Sequence, residues 1–163
     1  MEFGLGAHIY RKNTQLKLKE LKSNLMLGLY KFTCPDICYA VNKVCQFMHL
    51  PINDHRSLVK RIVQNLQGTT SYSLYITRGS SLSLHGFKDA DWADNLDDRK
   101  STGGYLVYLG STTISWKSGK QRTVAHSSTK TEYKALADGT AKFLWIRALL
   151  SDLHFSSETM TIL

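Results

Sequence analysis

Residues 105–116 read YLVYLGSTTISW, two runs of apolar, aromatic and β-branched residues on either side of Gly110-Ser111. Runs of this composition are typical of β-strands, and a pair of turn-forming residues between them suits a tight connection. The segment therefore predicts a β-hairpin with strands at 105–109 and 112–116.

The segments around this hairpin complete an α+β layout. Ser-Leu-Ser-Leu at 81–84 alternates strictly, which predicts a strand that runs to Asp89, before a polar loop at 93–102. A long helix is predicted from Ser128, and residues 160–163 predict the start of another strand. The apolar face expected for the long helix comprises Leu136, Phe143, Leu144, Ile146, Leu150 and Leu153. We therefore expect a three-stranded antiparallel sheet, one long helix and the stub of a fourth strand.

A helical hairpin is predicted ahead of this sheet. Pro35 suits the first turn of a helix, and apolar residues follow it at helical spacing. Asn53 is a suitable N-cap for a second helix, and Gly68 is a suitable end for it. The residues expected on the inner faces are Ile37, Val41, Val44 and Met48 in the first helix, and Leu58, Ile62 and Leu66 in the second.

The positive charge is unevenly distributed. The chain has 163 residues and a formal net charge of +8, and all of this excess lies in residues 1–88, because residues 89–163 hold equal numbers of basic and acidic side chains. In the second predicted helix, Arg56, Lys60 and Arg61 cluster on the outer side. A basic surface of this kind favours a polyanionic partner such as nucleic acid, although solvated lysines on an ordinary surface also account for such an excess.

Membrane and secretory classes are not indicated. No apolar run approaches the roughly 20 residues that a membrane-spanning helix needs, and the first residues do not have the order of a signal peptide. We therefore expect an intracellular protein. Three cysteines, Cys34, Cys38 and Cys45, stand in one short segment without a second pair at zinc-finger spacing, so half-buried thiols are the preferred interpretation.

Acidic residues are the candidates for chemistry. Asp89 and Asp91 stand two apart at the end of a predicted strand, where period two places both on one face. Carboxylates crowded together repel unless they bind a cation such as Mg²⁺, but a strand end that enters an acidic loop also explains them. Glu132 either completes a capping box with Thr129 or, if the long helix packs across the sheet, contributes a third carboxylate.

Several motifs occur in a fixed order: DADWA at 89–93, DRKSTGGY at 98–105, ISWK at 114–117 and SSTKTEY at 127–133. This set resembles the ribonuclease H domain of copia-type retrotransposon Pol polyproteins. Upstream residues such as Pro35-Asp36-Ile37 resemble the helices that connect this domain to its reverse transcriptase. The resemblance begins at about residue 25 and implies a helical connection segment at 25–70 and a truncated ribonuclease H-like domain at 71–163. Residues 1–24 show no clear periodicity and are interpreted as a poorly determined leader.

The resemblance also implies a reaction and a site. Ribonucleases H cleave the RNA strand of an RNA–DNA hybrid with two Mg²⁺ (or Mn²⁺) ions that acidic residues hold. By position, Asp89 corresponds to the ligand on the first strand and Glu132 to the ligand on the helix, with Asp91 as a neighbouring motif residue. Nucleic-acid contacts are expected from Arg56, Lys60, Arg61, Lys117 and Lys120.

Three departures from the family pattern affect this expectation. The third carboxylate of such domains ends the fourth strand, so here it would fall beyond Leu163; Lys88 replaces a small hydroxyl residue, and Lys130 replaces a glutamate. We therefore expect a truncated, incomplete domain that is inactive, without a polymerase palm, and with an unpaired sheet edge that favours association. The alternatives are a non-catalytic nucleic-acid-binding fragment and a pseudogene-like product with no selected function.

Overall fold

The computed structural model describes residues 7–10, 30–48, 52–76, 83–95, 98–155 and 160–162. The chain divides into two compact units, which lie within His8–Leu74 and Tyr75–Leu163. The predicted α+β class is confirmed, with a helical first unit and a second unit built from a sheet and one long helix. The predicted leader at 1–24 lies outside the described residues except for strand β1, Ala7–Tyr10.

The first unit contains the predicted helical hairpin. A 3-10 turn at Pro35–Ile37 leads into helix α1, Cys38–Cys45, and helix α2 follows at Asn53–Gly68. The Phe47 and His55 rings stack with centroids 4.2 Å apart, which joins the end of α1 to the start of α2. The core of this unit consists of Cys34, Ile37, Val41, Val44, Ile62, Val63 and Leu66.

Two details predicted for α2 are wrong. The N-cap is Ile52 rather than Asn53, and the Nδ1 atom of His55 accepts a hydrogen bond of 3.3 Å from the Ile52 backbone N–H. Leu58 is 42% exposed, whereas Val63 is buried. At 3.6 residues per turn, Leu58 lies about a quarter of a turn away from the centre of the buried face, so its spacing to Ile62 does not bring it into the core.

The second unit is built on a four-stranded sheet. Its strands are β3 (Leu84–Asp91), β4 (Thr102–Leu109), β5 (Thr112–Lys120) and β6 (Met160–Ile162), in the order β5-β4-β3-β6. The predicted antiparallel strands are confirmed, and β6 pairs with β3 in parallel. Strand β2, Ser73–Ile76, pairs with β1 in a separate small sheet.

The predicted hairpin forms with the expected turn. Leu109 pairs with Thr112, and Gly110 has a φ of 58°, a left-handed conformation that favours glycine. The register shifts between Val107 and Tyr108, so Ile114 is an extra residue in β5. Both hairpin strands extend further into the polar sequence than predicted, because their backbone groups continue to pair where side-chain composition no longer indicates a strand.

Helix α3, Ser128–Asp152, packs across β3 and β4. Phe143 is 1% exposed and forms a core with Leu84, Val107 and Ile146. Leu144 and Leu153, both predicted for the inner face, are exposed instead. Small residues line the helix where it approaches the sheet most closely: Thr131, Ala135 and Gly139 are all buried. None of the helices in the described ranges is both long and apolar enough to span a bilayer.

The packing of α3 can be tested with neighbouring residues. We expect Phe143→Ala to lower the free energy of unfolding by about 3–5 kcal/mol, because it leaves a cavity in the core. Leu144→Ala, at a side chain that is 49% exposed, should cost less than about 1 kcal/mol. Urea titration followed by circular dichroism measures both. Equal losses of unfolding free energy in the two variants would contradict this packing of α3. If the unmodified chain shows no cooperative transition, the alternative of a pseudogene-like product without a stable fold is favoured.

Candidate functional site

The two faces of β3 carry different chemistry. A Cβ atom added to Gly139 of α3 would lie 3.9 Å from the Lys88 Cβ atom, so Lys88 is on the face that α3 covers. Side chains alternate along a strand, and therefore Asp89 and Asp91 lie on the opposite face. Both aspartates are exposed, and β3 extends through Asp91. The predicted placement of these two residues on one face is confirmed.

Asp89 lies in a part of β3 that is open on one side. Strand β6 pairs only with the first residues of β3, Leu84 to Gly86. Among the described residues, the only strand beside Asp89 is therefore β4, where Gly104 is its partner. The Oδ1 atom of Asp89 accepts a hydrogen bond of 2.8 Å from the Ala90 backbone N–H, and no ion pair to this carboxylate occurs in the described part of the chain.

Of the two alternatives for Glu132, the capping box with Thr129 is wrong. The N-cap of α3 is Ser127, whose Oγ atom accepts a hydrogen bond of 3.2 Å from the Lys130 backbone N–H. The third helical residue is therefore Lys130, and a lysine side chain has no acceptor that could complete a capping box. The exposed Glu132 carboxylate is thus not used in capping, and the described residues provide no hydrogen bond or ion pair to it.

The first turns of α3 lie at the end of the sheet that carries Asp89. A Cβ atom added to Gly103 would lie 3.6 Å from the Ala135 Cβ atom, and Gly103 pairs with Ala90 in the next strand. Glu132 is one turn before Ala135, so it lies at the same end of the sheet as Asp89, although the Asp89 side chain projects from the face of the sheet opposite to α3. No group of three or more His, Cys, Asp or Glu side chains that could hold a metal occurs in the described ranges. Coordination of one cation by both carboxylates remains a prediction.

A buried polar network holds the start of α3 on the sheet. Ser101 and Thr131 are both fully buried, and their hydroxyl oxygens are 3.0 Å apart. The side-chain amide of Gln121 donates to the Thr131 backbone carbonyl at 3.0 Å, and its backbone N–H donates to the Ser101 carbonyl at 2.8 Å. The sequence prediction missed these residues. The available signal was that Thr131 precedes Ala135 and Gly139 at four-residue intervals, which places it on the inner face.

Trp92 makes a second connection at this end of the fold. Its indole N–H donates a hydrogen bond of 3.0 Å to the backbone carbonyl of Ala125, a residue that is 3% exposed. The end of β3 is thereby fixed to the loop that precedes α3. The following residue, Ala93, has a φ of 52°, which is left-handed and strained for a side chain with a Cβ atom.

Lys88 does not neutralise the candidate site. Lys88 stands where the family pattern has a small hydroxyl residue, directly before Asp89, so a pairing with a candidate carboxylate is conceivable from its position in the sequence. It lies instead on the α3 face, and no ion pair joins it to Asp89 or Asp91 in the described part of the chain. Lys130 is exposed in the first turn of α3, two residues before Glu132.

The two lysines of β5 that are predicted to bind nucleic acid already have carboxylate partners. Lys117 pairs with Asp138 at 2.6 Å, and Lys120 pairs with Asp98 at 2.9 Å. The hydrogen bond from Lys120 is the main cause that lowers the pKa of Asp98, assisted by the Lys100 backbone N–H and by the charges of both lysines, while desolvation opposes them.

The predicted cations of α2 differ from these lysines. Arg56, Lys60 and Arg61 are all exposed, and the described residues offer none of them a salt bridge. Their charges are therefore accessible from solvent, in contrast to the partly neutralised charges of Lys117 and Lys120.

The Asp98 ion pair predicts a pH dependence of stability. Its folded-state pKa lies below the ordinary value of 3.8, so the unfolded state binds the proton first as the pH falls. The stabilisation is complete above that ordinary value and is lost as the pH drops through the folded-state pKa. As the pH falls below about 4, we expect Tm to fall less steeply in Asp98→Asn than in the unmodified chain. Lys120→Gln should reduce the slope similarly, and equal slopes in all three proteins would contradict the ion pair.

The architecture defines a class of protein. Three antiparallel strands, a parallel strand β6 beside β3 and one long helix across the sheet are consistent with a partial ribonuclease H-like fold. The chain is 48% identical over 122 residues to the retrovirus-related Pol polyprotein from transposon RE1 of Arabidopsis thaliana, and 47% identical over 122 residues to that from transposon RE2. The chain belongs to this family, the Pol polyproteins of copia-type transposons.

The similarity covers unequal shares of the proteins. It includes 75% of this chain but only 8% of RE1 or RE2, so the chain spans a small part of these curated relatives. A shorter relative, secreted RxLR effector protein 161 of Plasmopara viticola, is 44% identical over 121 residues, which cover 74% of this chain and 85% of that protein. No protein-family model matches the chain, and no solved structure matches it.

Proposed function

We propose that this chain is the ribonuclease H-like part of a copia-type Pol polyprotein, and that its ancestral reaction is hydrolysis of the RNA strand in an RNA–DNA hybrid. Asp89 and Glu132 are the carboxylates proposed to hold Mg²⁺ or Mn²⁺. The observation that supports this assignment is their placement, because both are exposed at the same end of the sheet, without an ion pair in the described part of the chain.

The donor set fits a weakly held cation. Two carboxylates supply the hard oxygen ligands that Mg²⁺ prefers, and the absence of a capping box leaves Glu132 available for one. With fewer than three such ligands gathered in the described ranges, a cation must keep most of its water ligands. We therefore expect measurable but weak binding.

Bound divalent ions would supply an activated water and stabilise the oxygen of the leaving strand. The protein would position these ions through Asp89 on the sheet and Glu132 on α3. A site with an incomplete ligand set loses preorganised charge, which costs several kcal/mol of transition-state stabilisation. We therefore expect the chain as it stands to bind the cation without efficient cleavage.

The cation site can be tested with matched aspartate variants. We expect Asp89→Asn and Glu132→Gln to weaken Mn²⁺ binding, measured from the electron paramagnetic resonance signal of free Mn²⁺, by about tenfold or more. Asp91→Asn removes the same charge from the same face of β3 and should change the affinity by less than about threefold, since Asp91 is the neighbour rather than the proposed ligand. If Asp89→Asn and Asp91→Asn reduce the Mn²⁺ affinity equally, the binding is explained by non-specific attraction to negative charge and the proposed site is wrong.

Activity is measured separately with a labelled RNA–DNA hybrid in Mg²⁺ or Mn²⁺. Our expectation is that cleavage by the chain does not exceed the background of Asp89→Asn. Cleavage that disappears in Asp89→Asn would show that the chain is an active nuclease despite the small ligand set.

A second candidate function is binding of nucleic acid without cleavage, and α2 favours it. Arg56, Lys60 and Arg61 are exposed without described salt bridges, so they can approach phosphates without first breaking an ion pair. Phosphate contacts would supply affinity that depends on salt but carries no sequence information. Preference for RNA would require contacts to the 2′-hydroxyl.

The contribution of α2 can be measured from the salt dependence of hybrid binding. We expect the combined variant Arg56→Gln, Lys60→Gln and Arg61→Gln to bind more weakly, with the slope of log K against log salt reduced by about 2 to 3, because each lost phosphate contact removes about 0.9. The double variant Lys117→Gln and Lys120→Gln should change the slope less, since both lysines are paired. Fluorescence anisotropy at several salt concentrations gives both slopes. If the double variant reduces the slope more than the α2 variant does, the nucleic-acid-binding surface is on β5 rather than on α2.

A further inference from the structure

The buried hydroxyl groups at the start of α3 belong to a continuous series of hydrogen bonds. The Ala93 backbone N–H donates to the Ser101 Oγ atom at 3.1 Å, and the Thr131 Oγ1 atom donates to the Ser127 carbonyl at 3.3 Å. The Ser101 and Thr131 hydroxyl oxygens are 3.0 Å apart, and either of them can donate in the bond between them. Hydrogen bonds therefore connect Ala93, Ser101, Thr131 and Ser127 in that order.

These hydrogen bonds join the two segments that carry the candidate carboxylates. Ala93 follows the end of β3, two residues after Asp91, and Ser127 is the N-cap of α3. The Thr131 carbonyl, which accepts from Gln121, belongs to the same planar peptide unit as the Glu132 backbone nitrogen. The hydrogen bond from Gln121, which follows β5, thus fixes the orientation of the peptide unit between Thr131 and Glu132.

We propose that Ser101 and Thr131 are positioning residues for the cation site, and that their hydroxyl–hydroxyl bond sets the position of Glu132 relative to Asp89. This inference rests on the proposed function, because it assumes that these two carboxylates share a cation. Neither hydroxyl residue touches the cation. Their role is to hold the first turn of α3 against the end of β3, as groups behind a metal ligand do when they fix its orientation.

Both hydroxyls are inaccessible to water. Ser101 and Thr131 are each 0% exposed, so water cannot replace a partner that a substitution removes. Replacement of Thr131 by valine keeps the shape of the side chain, but it removes the hydroxyl to which the buried Ser101 hydroxyl is bonded. The start of α3 must then shift to relieve this loss, and Glu132 shifts with it.

Thr112 provides a matched control. It is 7% exposed in the hairpin, and its hydroxyl has no hydrogen-bond partner among the described residues. Thr112→Val therefore makes the same chemical change at another buried threonine without breaking a bond. Ile146→Val serves as a control for stability, because it weakens the core between α3 and the sheet but leaves the hydrogen bonds of Ser101 and Thr131 intact.

The experiment measures the Mn²⁺ dissociation constant of folded variants of the full chain. We expect Thr131→Val to weaken binding by about tenfold, and Thr131→Ser, which keeps the hydroxyl, to stay within about threefold of the unmodified chain. Thr112→Val and Ile146→Val should bind like the unmodified chain. Ser101→Ala interrupts the same bond from the sheet side and should match Thr131→Val, which also provides the test if Thr131→Val does not fold.

The outcomes separate this inference from the proposed function on which it rests. If Asp89→Asn weakens Mn²⁺ binding but Thr131→Val and Ser101→Ala do not, the cation site stands and the positioning role is overturned. A loss that Ile146→Val shares would also overturn it, since general destabilisation would then explain the effect. If Asp89→Asn has no effect, the proposed site itself is wrong, and the positioning role fails with it.

Discussion

The close packing of α3 against β3 and β4 is the interaction on which the candidate site depends. A Cβ atom added to Gly139 would already be in contact with Tyr105 and Lys88, so this position leaves no room for a large side chain. Phe143, one turn further on, fills the core between the helix and the sheet. These two contacts fix the path of the helix, and the path brings the turn with Glu132 to the end of the sheet that carries Asp89.

The charged residues of the candidate surfaces fall into two groups, those with an ion-pair partner and those without one in the described part of the chain. Lys117 and Lys120 pair with carboxylates of the same unit, which reduces their attraction for an external anion. The candidate carboxylates and the cations of α2 have no such partners in the described part of the chain. Groups that already have an ion-pair partner contribute to the fold, whereas groups without one retain charge for a ligand. This difference is why Asp89 and Glu132, rather than the lysines of β5, carry the proposed function.

Local periodicity accounts for what could be predicted from the sequence. The hairpin, the long helix and the presence of a strand at β6 follow from runs of apolar residues and from turn residues, and the shared face of Asp89 and Asp91 follows from the alternation along a strand. The parallel pairing of β6 with β3 was not predicted. The start of α3 shows where this reasoning fails. Residues 127–129 read Ser-Ser-Thr, and each of them is a suitable N-cap. The extended backbone of Ser127 selects the first of them, and only packing of the helix on the sheet determines that conformation.

The α+β class, the order of the main elements, the family and the two candidate carboxylates could be predicted from the amino-acid sequence, because each depends on local pattern or on motifs in a fixed order. The burial of individual side chains, the pairing of the β5 lysines and the contact between Ser101 and Thr131 depend on how the helix packs on the sheet. Residues 30 positions apart in the chain carry no local signal of their contact. Their hydroxyls meet only because burial of Phe143 and the small residues of α3 brings the helix onto the sheet, where two hydroxyls without water must bond to each other.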